Sequence, residues 1–94
     1  MNQQEVIEKL NNILAQEFEV DAAKIKPEAN IKETLMLNSL DAIDMIAVIE
    51  YEFGVKIPAG EYAHIKIFSQ LYDYMQTALR IKNEQLTIKK LSKE

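Results

Sequence analysis

Apolar residues recur at helical spacing in three stretches of this chain, and polar runs separate them. In the first, Val6, Leu10, Ile13, Leu14 and Phe18 repeat every three or four positions, which predicts a helix over residues 3–18. Asn2 stands where a cap belongs, and Glu5 and Glu8 suit the positive end of the helix dipole. The second stretch, from about Asn38 to Phe53, has Met45, Ile46, Val48, Ile49 and Phe53 on one wide apolar side. Asn38-Ser39 opens it, Asp41 and Asp44 occupy its first turns, and Gly54 followed by Pro58 stops it. The third covers about 69–81, with Ser69 as cap and Leu71, Tyr74, Met75, Ala78 and Leu79 inward. Tyr72 and Asp73 are expected to face water.

The segments between are read as connections. Residues 19–37 form a long loop in which Asp21 begins a short turn and Pro27 bars a continuous helix. Ile25, Ile31, Leu35 and Leu37 are apolar enough to pin it over a core. A loop of this length in a small domain is often functional. Residues 55–60 make a connector, and 61–66 a brief helical or 3₁₀ turn. The pattern predicts an all-α fold: a small four-helix bundle of three main helices and one short one, with a long loop between the first two.

Composition narrows the class. Ninety-four residues suit one domain. Two glycines and two prolines are too few for the many turns of an all-β fold. With no cysteine there is no disulfide and no thiolate metal site. No apolar run is long enough for a membrane span, and the N-terminal order is not that of a signal peptide, so a cytoplasmic protein is expected.

Charge is uneven. Residues 1–79 hold 13 acidic and six basic side chains, whereas residues 80–94 carry five basic and two acidic ones. An acidic body disfavours nucleic acid and favours basic protein surfaces. The chain therefore divides into a body, 1–80, and a basic C-terminal extension, 81–94. Ile81, Ile88 and Leu91 could continue the last helix, although a frayed tail is usual at a terminus.

The second side of the central helix carries the chemistry. Ser39, Ile43, Ala47 and Glu50 share it. A hydroxyl stands at the top, aliphatic residues lie below, and Asp41, Asp44 and Glu50 surround them with acid. Leu40, Ile43, Asp44, Ala47 and Glu50, with Asn38 and Asp41 at the tip, form a candidate partner surface. A hydroxyl at a helix N-terminus also suits a phosphodiester, because free N–H groups and the dipole favour phosphate. Other chemistries fit poorly. His64 is the only histidine, and the Gly-x-Ser-x-Gly elbow of a hydrolase is absent. Asp41 and Asp44 lie outside any EF-hand loop, so no metal is expected.

The run Met36-Leu37-Asn38-Ser39-Leu40-Asp41, the acidic helix after it, and Glu50-Tyr51-Glu52-Phe53-Gly54-Val55-Lys56-Ile57-Pro58 together resemble the acyl carrier proteins. Their signature reads roughly Gly-x-Asp-Ser-Leu, an amphipathic acidic helix, then Glu-x-x-Phe-Gly-x-x-Ile-Pro. The resemblance covers about residues 3–79. It implies a 4′-phosphopantetheine arm on Ser39, attached by a phosphopantetheinyl transferase (holo-acyl carrier protein synthase). It further implies a monomeric, non-enzymatic carrier of thioester-linked acyl groups for fatty acid, polyketide or related biosynthesis. Acyl-transferring and condensing enzymes with basic docking patches would be its partners. Met45, Ile49, Phe53, Ile57 and Ile65 would line an acyl cavity. The Gly-Gly and His that precede the serine in peptidyl carriers are missing, which tilts the cargo toward acyl groups.

Two positions depart from that signature. Asn38 replaces an aspartate and keeps the cap but not the charge. Met36 replaces a glycine, and if that position needs a positive φ the loop is expected to differ. The alternative reading they suggest is a carrier-like interaction module that is never phosphopantetheinylated.

Overall fold

The computed structural model describes residues 2–92, with side chains described as far as Gln85. The elements are α1 (Gln3–Glu17), a 3₁₀ turn (Ala22–Lys24), α2 (Ile31–Leu35), α3 (Ser39–Phe53), α4 (Ala59–Tyr62) and α5 (Phe68–Ser92). The all-α expectation holds. Among the described residues no helix is long and apolar enough to cross a membrane.

Local chemistry sets the helix ends. At α1 a reciprocal capping box forms: Asn2 Oδ1 accepts from the Glu5 N–H at 2.9 Å, and Glu5 Oε1 accepts from the Asn2 N–H at 3.1 Å. Val6, Leu10 and Leu14 bury the inner stripe. Asp21 caps the 3₁₀ turn through the Ala23 N–H at 2.9 Å.

The long connection is more ordered than its sequence suggested, because it contains α2. Asn30 caps that helix through the Glu33 N–H at 2.9 Å, and Ile31 and Leu35 bury its inner side. An isolated bridge between Asn30 and Ile67 ties α2 to the start of α5. The Ile31 N–H also donates to the Lys66 carbonyl at 3.0 Å.

Three other boundaries shift. The short helix begins at Ala59 rather than 61, directly after Pro58, a residue compatible with a helix start because it has no N–H to leave unpaired. The last helix begins at Phe68, and Ser69 does not cap it. Gln70 Oε1 accepts the Lys66 and Ile67 N–H groups at 2.7 and 3.1 Å, while the Ser69 N–H donates to the Pro27 carbonyl at 2.8 Å. The same helix continues unbroken through residue 81 to Ser92, so no break in secondary structure marks the 80/81 boundary.

Tyr72 does not face water; it is 4% exposed. On α5 it lies beside Phe68, Leu71 and Met75, which makes the buried face wider than the expected stripe. Its hydroxyl donates to Asn11 Oδ1 at 2.6 Å, which supplies the partner that a buried phenol requires. Asp73 is exposed as expected.

The relative directions of the helices follow from their contacts. The start of α5 meets α2, and Lys82, four turns later, meets the end of α3. Helices α3 and α5 therefore run the same way. Lys9, midway along α1, also reaches the end of α3 at the Glu52 carbonyl, while Asn11, further along α1, meets Tyr72 near the start of α5, so α1 runs opposite. Ser39 consequently stands at the pole of the bundle away from Lys9 and Lys82.

Candidate functional site

Asn38 is the extended residue before α3, with φ −93° and ψ −175°, and Ser39 is the first helical residue. A second capping box forms here. Asn38 Oδ1 accepts from the Asp41 N–H at 2.9 Å, and Asp41 Oδ2 accepts from the Asn38 N–H at 3.3 Å. A helix start leaves four N–H groups without intrahelical partners. The box takes those of Asn38 and Asp41, so the Ser39 and Leu40 N–H groups remain open to solvent. Ser39 itself is exposed. The tip thus offers a free primary hydroxyl, two free donors and the positive end of a 15-residue helix dipole.

A phosphodiester fits that arrangement. The neutral Asn38 amide helps, because it caps the helix without placing another negative charge beside the phosphate. The asparagine thus keeps the helix start intact, as its side chain predicted.

The approach to the serine is built by Met36. Its backbone is left-handed, with φ 56° and ψ 46°, and its N–H donates to the Lys32 carbonyl to end α2. The loop does not change to suit a side chain at this position; methionine adopts the conformation that glycine would take freely. Such a conformation costs a non-glycine residue about 1–2 kcal/mol. The Met36 side chain is 82% exposed.

Below Ser39, Leu40 is 72% and Ile43 63% exposed, and Asp44 and Ala47 are exposed beside them. Tyr51, one turn beyond Ala47, is 85% exposed and prolongs the same stripe; the sequence reading passed over it. Its signal was available, since 40, 47 and 51 fall on one line of a helix. Asp41 is half-buried and held in the capping box. Glu50 is also half-buried, and its Oε2 accepts the Ile57 N–H at 2.7 Å, which ties the connector to α3. Asp44 is therefore the acid of the stripe with no such structural bond.

The opposite side of α3 is core. Met45, Ile49, Phe53, Ile57 and Ile65 are all buried in one continuous cluster. The C-terminal end of α3 has no base of its own in its last turn. Lys9 and Lys82 come from other helices to meet the Glu52 and Phe53 carbonyls at 3.4 and 3.1 Å. Lys9 also lies 4.8 Å from the centre of the Phe53 ring. His64 is exposed in the turn after α4, where its backbone N–H donates to the Glu61 carbonyl.

Comparison with known proteins agrees with this geometry. The family profile described as "Phosphopantetheine attachment site" matches residues 8–75. An acyl carrier protein of Thermosynechococcus vestitus is 40% identical over 75 residues, which span 80% of this chain and 93% of that protein. Acyl carrier proteins of Rubrobacter xylanophilus and Guillardia theta are 33% and 31% identical over the same shares.

Proposed function

This chain belongs to the acyl carrier protein family, which carries a phosphopantetheine attachment site, and from that premise we propose that Ser39 is the residue that bears the 4′-phosphopantetheine arm. The observation that carries the proposal is the free Ser39 hydroxyl at the capped start of α3, beside two open N–H donors. The arm supplies a terminal thiol, which a chain without cysteine lacks, and on it acyl groups ride as thioesters.

The protein's own residues do the rest. Asn38 and Asp41 hold the helix start so that the hydroxyl points outward. The Ser39 and Leu40 N–H groups and the dipole stabilise the phosphate. Leu40, Ile43, Asp44 and Ala47 form the surface that a basic enzyme grips, while Asn38, Asp41 and Glu50 keep its frame. A phosphopantetheinyl transferase would use this face first, and acyl-transferring and condensing enzymes afterwards. Met45, Ile49, Phe53, Ile57 and Ile65 are the core residues an acyl chain entering the bundle would meet. Met45 is suited to yield, since its side chain is flexible. The chain acts as a carrier rather than a catalyst, in fatty acid, polyketide or related biosynthesis.

The test is intact mass after incubation with coenzyme A and a phosphopantetheinyl transferase. The expected result is a gain of one 4′-phosphopantetheine, lost in Ser39→Ala while the helical circular dichroism is unchanged. No gain with several transferases, including one from the same organism, would favour the unloaded interaction module. A gain that survives Ser39→Ala would move the arm to another residue.

A further inference from the structure

Among the described residues, the exposed large hydrophobic side chains are Met36, Leu40, Ile43, Tyr51 and Ile81. All but the last lie on α3 or in the turn that leads into it. Ile81 stands on α5, at the lip of an open groove of about 350 Å³ between that helix and the connector after α3, edged by Lys56 and Lys82. Single exposed aliphatics are ordinary, whereas a group of them on one face marks an interaction site.

Tyr51 is the most exposed of these side chains, at 85%. It follows the buried Ile49 by two positions, which turns it about 160° around the helix from the core. Leu40, Ala47 and Tyr51 fall on one line of α3, so a small residue separates two large ones and the phenol stands clear. The hydroxyls of Tyr72 and Tyr74 are bonded within the fold, to Asn11 Oδ1 and to the Lys56 carbonyl. Among the described residues nothing bonds the Tyr51 hydroxyl. Tyrosine offers a large, rigid surface that only two torsions must order, with a polar tip, and such residues anchor protein interfaces.

Its distance from Ser39 selects the partner. Tyr51 follows Ser39 by twelve residues, about 18 Å of helix. A standard interface covers about 800 Å² on each partner, a disc of about 16 Å radius. A phosphopantetheinyl transferase brings its reacting atoms to the Ser39 hydroxyl, so its disc centres on the tip and leaves Tyr51 at or beyond the edge. An enzyme that acts on the acyl group meets it at the end of a flexible arm. Its disc is free to centre on Ala47, with Leu40 and Tyr51 both inside.

We propose that Tyr51 is a specificity-determining residue, read by the enzymes that act on the acyl thioester through an apolar pocket that seats its ring and accepts a hydrogen bond from its hydroxyl. The inference rests on the Ser39 reading, because the arm defines the partner. Asp41 and Glu50 are tied to backbone N–H groups, so Asp44 carries the free charge of the stripe. Burial of Tyr51 adds a part of the contact that salt does not screen.

The test is equilibrium titration of a condensing enzyme from the same organism with the Ser39→Ala chain, which carries no arm, so docking is measured apart from loading. Adding Tyr51→Ala should weaken binding about tenfold or more, and Tyr51→Phe, which keeps the ring, by less than about threefold. The Tyr51→Ala loss should persist from about 0.1 M to 1 M sodium chloride, while the smaller loss from Asp44→Asn fades over that range. Ile81→Ala removes exposed apolar surface from α5 and should leave binding unchanged. In the loaded chain, Tyr51→Ala should raise KM and spare kcat. Tyr51 is exposed, and helical circular dichroism checks that each fold survives. A Tyr51→Ala effect below about twofold, one matched by Ile81→Ala, or a Ser39→Ala chain that fails to bind at about 1 mM overturns the proposal. A wild type that takes no arm in the mass experiment strikes the Ser39 reading and this proposal with it. A chain that loads but whose docking ignores Tyr51 strikes this proposal alone.

Discussion

Replacing Met36 by glycine should stabilise the fold and weaken enzyme docking at once. The stability gain comes from the backbone. Met36 sits at φ 56° and ψ 46°, where the clash between Cβ and backbone costs about 1–2 kcal/mol. Glycine removes that clash but brings a larger loss of chain entropy on folding, about 0.5–1 kcal/mol. The side chain is 82% exposed, so little burial is lost. The net expectation is a gain of about 0.5–1 kcal/mol, which for a domain of this size raises the melting temperature by about 2–8 °C. Thermal and urea unfolding followed by circular dichroism measure this.

Docking should move the other way, because the exposed methionine lies three residues before Ser39 and offers apolar surface to an incoming transferase. Losing part of that burial should lower kcat/KM for arm attachment by about two- to tenfold. A Met36→Gly protein that is no more stable than wild type would refute the strain argument. It would mean that the left-handed turn is not held in solution or that the methionine makes a contact worth as much as the strain.

The remaining expectations concern the caps and the buried phenol. Asn38→Ala removes the Asn38–Asp41 box and should cost about 1 kcal/mol in urea unfolding, whereas Asn38→Asp keeps the acceptor and should stay within about 0.5 kcal/mol of wild type. At Gly54, φ is +65° and a Cβ would run into Lys82 Nζ. Gly54→Ala should cost about 1–2 kcal/mol through the left-handed backbone, and nearly the same once Lys82 is already alanine, because the ammonium that the Cβ would meet ends a flexible side chain that can move aside; a strongly non-additive double-mutant cycle would refute this. Burial raises the Tyr72 phenol above its ordinary value, and the Asn11 hydrogen bond pulls the other way. Burial also raises Tyr62, while burial and then the Glu61 and Glu50 carboxylates raise Tyr74. The folded chain binds these protons more tightly than the unfolded one, so stability should be level below pH about 10 and fall as pH rises past it. Tyr72→Phe should lose about 1 kcal/mol at neutral pH by stranding Asn11, and its alkaline decline should be shallower; an unchanged decline would clear Tyr72 of a part in it.

What could be read from the sequence was whatever neighbouring residues determine. Asn2 with Glu5, Asp21 with Ala23, and Asn38 with Asp41 are caps closed within three positions, and they located α1, the 3₁₀ turn and the tip that holds Ser39. Helix α2 has too few residues to show a period, although Asn30 followed by Glu33 carried a start signal. The last helix was cut short by the habit of termini to fray, but Arg80 to Ser92 contains no glycine or proline and is rich in Lys, Glu, Gln and Leu, which favour helix. Tyr72 was misjudged because its burial depends on Asn11, 61 positions away.

The same limit separates the two poles of α3. Its start is closed by its own residues, so the arm site is visible in a short motif. Its end is closed by Lys9 and Lys82, 43 and 29 positions away, and its connector is pinned by Glu50 to Ile57. Only folding brings these together, and the same long-range bond from Lys82 helps build the groove at that end. A sequence motif could therefore announce where a cofactor attaches but not that the far end of the same helix carries a lysine-edged trough.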